Sequence, residues 1–469
     1  MFSSTKYDQF PYDRNDARAI FEYSTRILGH SLEEVSFTDI SEFKGKGRLG
    51  NMVEKYFFQY EPNSDTNADF SEAGVELKCT PVKKIKGDRL VNKERLVCSM
   101  IDYDEDWKHS FKDSHIYRKC ALMLVLFYLH QDSIPVQQLM FLFSVLWRLP
   151  EKDLLIIEQD YDIIMSKIRA GKADELSEGD TTYLGACRKG QAGEKDKTYT
   201  AEGGIIASAP KRAYSLKTSY MKTILDFVRE SGKPYASNYT SISPQGLVSV
   251  EELKEKSFED ILLDRFKPFY GKTYSELCAA LGVEESPSKS KYADIINLIL
   301  TEKGKRGDNF NNSEEFVKSG IRVKTIRLRK NGMPKEAMSF PAIDYCSIVQ
   351  EEWFDSALYG YFTQRFLFVV FNNVAISGEE YALEKAFFWT MPKGDLEEAY
   401  YYWKNIKENV LADNYRPNAF YTIREHKKFH VRPHAANKRD TALAPSGRLV
   451  DKYGYWFNAD YVKSIIDKH

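Results

Sequence analysis

The 469-residue chain is predicted to be an α/β protein of two tandem domains, each a mixed β-sheet flanked by helices. Three observations predict this. Landmarks of the first half return in the same order in the second. Short strands rich in β-branched and aromatic residues alternate with helical patterns in both halves. A Gly/Pro/Ser/Asn-rich stretch at 231–246 falls between them. The long period excludes a solenoid, whose repeats are much shorter. The expected boundaries are 1–230 for the first domain, 231–257 for a linker and 258–469 for the second.

Taken in order, Gly29-His-Ser-Leu-Glu-Glu-Val35 predicts a helix opened at its Ser cap and returns as Gly271-Lys-Thr-Tyr-Ser-Glu-Leu277. The residues after Gly50 read as a helix with Met52, Val53 and Phe57 on its apolar side, and Glu54 is the acid it carries. The corresponding stretch of the second half, Ala293-Asp-Ile-Ile-Asn297, has an amide there. Asp69-Phe-Ser-Glu-Ala-Gly-Val-Glu76-Leu-Lys78 ends in a short apolar strand. Its second copy is Glu315-Phe-Val-Lys-Ser-Gly-Ile-Arg322-Val-Lys324. Lys93-Glu94 with Ile101-Asp102-Tyr103 returns as Lys335-Glu336 with Ile343-Asp344-Tyr345. The apolar stretch 122–127 returns as 366–371. Late in each half, Tyr183-Leu-Gly-Ala-Cys-Arg-Lys-Gly190 corresponds to His430-Val-Arg-Pro-His-Ala-Ala-Asn437, and 213–220 to 454–461.

Composition narrows the class. With 43% apolar and 14% aromatic residues the chain has material for real cores. Net charge is −1, yet 29% of residues are charged, so a basic groove is compatible with acidic outer faces. Six scattered cysteines without a Cys-x-x-Cys pair argue against a zinc site or a disulfide framework and fit a reducing cytoplasm. The first residues lack the apolar core of a signal peptide. The longest apolar run, 120–129, is about half of a membrane span, so it reads as a buried strand or helix. A soluble intracellular protein without a membrane partner is expected.

The chemistry concentrates in the first half. Strand side chains alternate, so Glu76 and Lys78 share one face while Val75 and Leu77 point into the core. Two acids and a lysine on one surface suit a hard divalent cation beside a polarised water. Asp69 and Glu76, with the Leu77 carbonyl, are the candidate Mg2+ ligands, and Lys78 is placed to orient water and offset phosphate charge. Glu54 faces the same pocket if its helix packs on this strand. Asp…Glu-x-Lys alone is a common surface pattern. Here both Glu54 and Glu76 are replaced in the second copy, by Asn297 and Arg322, which marks one working site and one disabled replica.

At these residues the chain resembles a known family. Lys46-Gly…Gly50…Glu54, Asp69-x-x-Glu-x-Gly-Val-Glu76-Leu-Lys78-x-x-Pro81 and Ser114-His115-x-x-x-Lys119 closely resemble the MutH-type GATC endonucleases. The likeness extends to the two-domain GATC-cutting type II restriction endonucleases through Leu-Ser-Glu-Gly at 176–179, Ser-Leu-Lys at 215–217 and the late His-Val-Arg-Pro-His. It implies two tandem restriction-endonuclease-like domains and Mg2+-dependent cleavage of both strands at 5′-GATC-3′. The first domain would cut, with Glu54, Asp69, Glu76 and Lys78 catalytic. The second would bind another site and activate the first. DNA-induced dimerisation and a cognate DNA methyltransferase acting on the same site are further implications.

The resemblance also implies the DNA-reading elements. Arg432, Pro433, His434, Ala435 and Asn437 match the family's base-reading loop, with Arg432 suited to guanine, His434 or Asn437 to adenine and Ala435 to a thymine methyl. The first-half loop departs from the pattern, with Cys187 in place of arginine, so Arg188 and Lys189 are its candidate contacts. Lys46 and Lys119 match positions near the DNA or the active site, and Ser215, Lys217 and Trp456 lie in the following strands. Two other functions remain open from sequence: a MutH-type mismatch-repair nicking enzyme, and a DNA-binding regulator with a vestigial nuclease site. The doubled length argues against the first, the intact acids against the second.

Overall fold

The computed structural model describes residues 10–40, 49–62, 66–85, 87–189, 195–237, 246–302, 309–416 and 418–469. The chain divides into two compact units, one of residues 1–257 with 311–320, the other of 258–310 with 321–469. Both are mixed α/β, as predicted. Parts of the expected linker contribute to the first unit: Tyr235–Ser237 pairs with Phe141–Arg148, and the helix Val250–Glu255 packs on the helix Glu151–Arg169. Residues 238–245 of that linker lie outside the described residues.

The first unit is built on a five-stranded sheet ordered Tyr235–Ser237, Phe141–Arg148, Leu122–Leu129, Glu76–Ile85, Arg89–Asn92. The 120–129 run supplies the strand Leu122–Leu129, whose first six residues are buried. Glu76–Ile85 lies parallel to it, a pairing that favours cover on both faces. Leu77 and Val75 join Met52, Val53 and Phe57 in one apolar cluster, so the helix Leu49–Tyr56 packs on the Glu76 strand. A second, three-stranded sheet is ordered Leu96–Met100, Arg212–Leu216, Leu184–Arg188.

The second unit repeats this plan. Arg322–Leu328 is parallel to Phe366–Asn373, which is antiparallel to Tyr381–Trp389. Met338–Ala342, Tyr453–Phe457 and Phe429–Pro433 form the companion sheet. The repeat holds in detail. Ser31 and Thr273 each close a capping box at a helix start, just after the left-handed Gly29 and Gly271. Glu151–Arg169 and Lys393–Leu411 are both 19-residue helices opened at a proline. No helix among the described residues is long and apolar enough to cross a membrane.

Candidate active site

The seven-residue spacing from Asp69 to Glu76 is explained by a tight turn. Phe70 and Val75 exchange backbone hydrogen bonds at 2.9 and 3.2 Å, and residues 71–74 reverse the chain between them. Gly74 holds φ +65° there, a conformation in which a side chain would be strained. Asp69 and Glu76 lie one residue outside that pair, so they meet. The Leu77 N–H donates to Asp69 Oδ2 at 2.8 Å, and the Asp69 N–H donates to Glu76 Oε2 at 3.2 Å.

Glu76 is buried at 2% exposure, and the strand's alternation brings Lys78 to it: Nζ lies 2.6 Å from Glu76 Oε1. Lys119 arrives from the helix His115–Cys120, whose N-cap Ser114 accepts from the Tyr117 N–H. Its Nζ is 3.3 and 3.4 Å from the two Glu76 oxygens. The resemblance placed Lys119 near the DNA or the active site. The structure seats it within reach of the central carboxylate, five residues after its cap.

Glu54 is buried on the helix Leu49–Tyr56. Burial, then the Asp69 charge, pushes its carboxyl up to about 7, with Glu76 adding and Lys78 and Lys119 opposing. Burial and Glu76 likewise raise Asp69. Burial opposes charge on Lys78, but Glu76 outweighs it and holds the ammonium above its usual range. Three carboxylates therefore share a low-dielectric pocket with two lysines, and two of the acids are uncomfortable as anions. That is the electrostatic condition a divalent cation relieves, so the residues fit one. Among the described residues no three His, Cys, Asp or Glu side chains are gathered into a ready metal cage.

The other expected positions are dispersed. Lys46 and Gly190 lie outside the described residues. Arg188 is exposed at the end of its strand, Lys189 is half-buried, and Cys187 faces the core at 1% exposure. Ser215 is buried, its hydroxyl 3.5 Å from the Gly185 carbonyl, and Lys217 Nζ donates to the Thr181 carbonyl. In the second unit Arg432, Pro433, Ala435 and Asn437 are exposed, and the Arg432 guanidinium lies 4.8 Å from the Trp456 ring centroid. His434 packs so closely on Gly454 that a Cβ there would meet its ring at 2.6 Å. Glu315, which aligns with Asp69 in the second copy, takes on a different role. In that copy 314–319 is helical, and Glu315 accepts the Leu247 and Val248 N–H groups and pairs with Lys152, all within the first unit.

Sequence reasoning did not single out the cations Arg118, Lys197 and Lys211. With His115, they line an open cleft that also includes Lys119. His115 Nδ1 lies 3.2 Å from Asp106 Oδ1. Its signal in the sequence was its place in Ser114-His115-x-x-x-Lys119, one of the motifs that carry the family resemblance.

The mixed sheet with acids and a lysine converging at one strand start defines a restriction-endonuclease-like nuclease of the MutH type. A sequence model described as DNA mismatch repair enzyme MutH matches residues 58–160 and again 307–399. The chain is 30% identical to the type II restriction enzyme Sau3AI of Staphylococcus aureus over 96% of its length and 98% of that protein. It is 27% identical to the DNA mismatch repair protein MutH of Shewanella sp. (strain MR-7), over 45% of this chain and 94% of that one. The MutH of Shewanella woodyi is 25% identical over 42% of this chain. The chain belongs to the MutH-like type II restriction endonucleases, a family of site-specific deoxyribonucleases.

Proposed function

We propose that this chain cuts both strands of DNA at 5′-GATC-3′ in a Mg2+-dependent reaction, in the cytoplasm of a bacterium whose own DNA is protected by a methyltransferase acting on the same site. The first unit cuts, and the second binds another GATC and activates the first. One observation carries this reading: Asp69, Glu76 and Lys78 converge in one unit, while the duplicate strand presents Arg322 and its helix Asn297. The match to a restriction enzyme along nearly the whole chain, against repair enzymes along less than half, favours double-strand cleavage over nicking.

Asp69, Glu76 and the Leu77 carbonyl are the groups placed to hold the ion, which when bound supplies a polarised water and charge neutralisation at the phosphate. Glu76 fixes Lys78 by a short charge-assisted hydrogen bond. That leaves the remaining ammonium protons of Lys78 for a water or a phosphate oxygen. Lys119 adds a second positive charge at the same carboxylate, and both offset charge developing on phosphorus. Glu54, its carboxyl pushed up to about 7 by burial and Asp69, can in its ionised form accept a proton from the water network.

Arg188 and Lys189 in one unit, and Arg432, His434 and Asn437 in the other, are assigned to the DNA. Incubation of the protein with unmethylated plasmid and Mg2+ tests the proposal. Discrete fragments ending at GATC are expected, with none in EDTA. Nicked circles alone would favour a repair-type enzyme, and a shifted but uncut band a regulator.

A further inference from the structure

The disabled site is not merely stripped. Arg322–Leu328 starts two residues after the left-handed Gly320, as Glu76–Ile85 starts two residues after the left-handed Gly74. Each then runs parallel to the long buried strand of its unit. Arg322 and Lys324 thus occupy the stations of Glu76 and Lys78. The helix Ala357–Phe362, capped by Ser356 as His115–Cys120 is capped by Ser114, puts Tyr361 at the station of Lys119. It lies close enough to Arg322 for that charge to act on the phenol. At the station of Glu54, Asn297 Oδ1 accepts the Phe310 N–H at 2.8 Å.

What remains is positive. Arg322 is exposed, with Nε 3.2 Å from Gln364 Oε1. Lys324 is half-buried. Its Nζ donates to the Ser339 carbonyl at 3.2 Å and lies 5.1 Å from the Phe340 ring centroid. Among the described residues neither cation forms an ion pair. In the cutting unit a divalent cation would offset the charge of Asp69 and Glu76, whereas Arg322 brings its positive charge with nothing bound. We propose that Arg322 and Lys324 form a metal-independent pocket for a backbone phosphate of DNA, the arginine standing where a carboxylate and its ion stand in the cutting unit. The proposal rests on the reading that the second unit binds DNA.

The chemistry suits a phosphate diester. The arginine fork reaches two oxygens, and the lysine adds a point charge from a partly desolvated floor where attraction is stronger than in water. Burial, then the Arg322 charge, presses the Lys324 ammonium down to about 8, so an anion is what the pocket lacks. With Arg322 and Asn297 where the cutting unit has Glu76 and Glu54, the pocket grips a phosphate it cannot cut.

The test uses the full chain carrying Glu76→Ala, titrated with a short duplex containing one GATC, at salt from 50 to 200 mM, in EDTA and in Mg2+. Two duplexes per chain are expected. Arg322→Ala and Lys324→Met, each in that background, should weaken one of the two binding events about tenfold and flatten its log–log salt dependence by about one unit. The effect should be equal in EDTA and Mg2+, and Arg322→Lys should keep most of the binding. Arg322 is exposed, so its removal leaves the core intact. Two duplexes bound with unchanged salt slopes in both variants, or a loss seen only in Mg2+, would overturn the phosphate pocket and leave DNA binding by the second unit standing. A single duplex bound by the parent protein would overturn both.

Discussion

At the scale of single residues, the site is governed by Glu76. It is buried, it accepts from Lys78 and Lys119, and it receives the Asp69 N–H. Glu76→Ala or Lys78→Ala should lower the cleavage rate by about 10²–10³-fold or more, the range for loss of one preorganised electrostatic group. Binding of a GATC duplex should be largely kept; cleavage persisting near the wild-type rate would remove these residues from the active site. Lys324 yields a prediction of opposite sense. Its folded pKa lies near 8, below its ordinary value of 10.5. The unfolded chain therefore binds its proton more tightly, and Lys324 destabilises the fold below about 8, with relief as pH rises toward 10.5. Lys324→Met should raise the melting temperature of the DNA-free protein at pH 7, and by less at pH 9.5. A gain that did not shrink with pH would point to packing instead of charge.

At the scale of elements, the two Gly-x-x-x-Lys strands show how one spacing supports two outcomes. Between Asp69 and Glu76 the chain makes a tight turn, and the acids face one pocket. Between Glu315 and Arg322 it makes the helix Glu314–Ser319, which belongs to the first unit. There Lys318, at 0% exposure, pairs with Asp153 at 2.7 Å, and the Tyr220 hydroxyl donates to the same oxygen at 2.6 Å. Removing one partner of a buried pair leaves an uncompensated charge, so Lys318→Ala should cost about 3–5 kcal/mol. Replacing both Lys318 and Asp153 by apolar residues of similar volume should recover only part of that loss, because Glu314 also pairs with Lys318. Denaturant titration of the single and double variants measures this, and an additive double variant would show that the pair is not coupled.

At the scale of the whole molecule, the proposed function has the duplication separate cutting from reading. If Arg432 contacts guanine through two hydrogen bonds, Arg432→Ala should weaken binding at the second unit by about 1–3 kcal/mol. In the proposed division of labour it should slow cleavage of one-site plasmids with the active site intact. Equal rates for variant and wild type on one- and two-site plasmids would argue against an effector unit.

Much of this was legible from sequence because it is local. Strand alternation set Glu76 and Lys78 on one face, Ser and Thr caps opened the matching helices, and Asn297 and Arg322 stand in the second half where the first has Glu54 and Glu76. Family resemblance added the loop around Arg432. Only the tertiary structure decided what distant segments do to one another. It brought Lys119 to Glu76, buried Ser215 inside its sheet, and joined residues 311–320 to the first unit. It also drew Glu315 away to Lys152 and two backbone N–H groups. The physical reason is that a residue's turn, cap or strand preference is set by its neighbours in sequence. Its partner in a desolvated ion pair is set by which segments the cores bring together, and no local pattern encodes that.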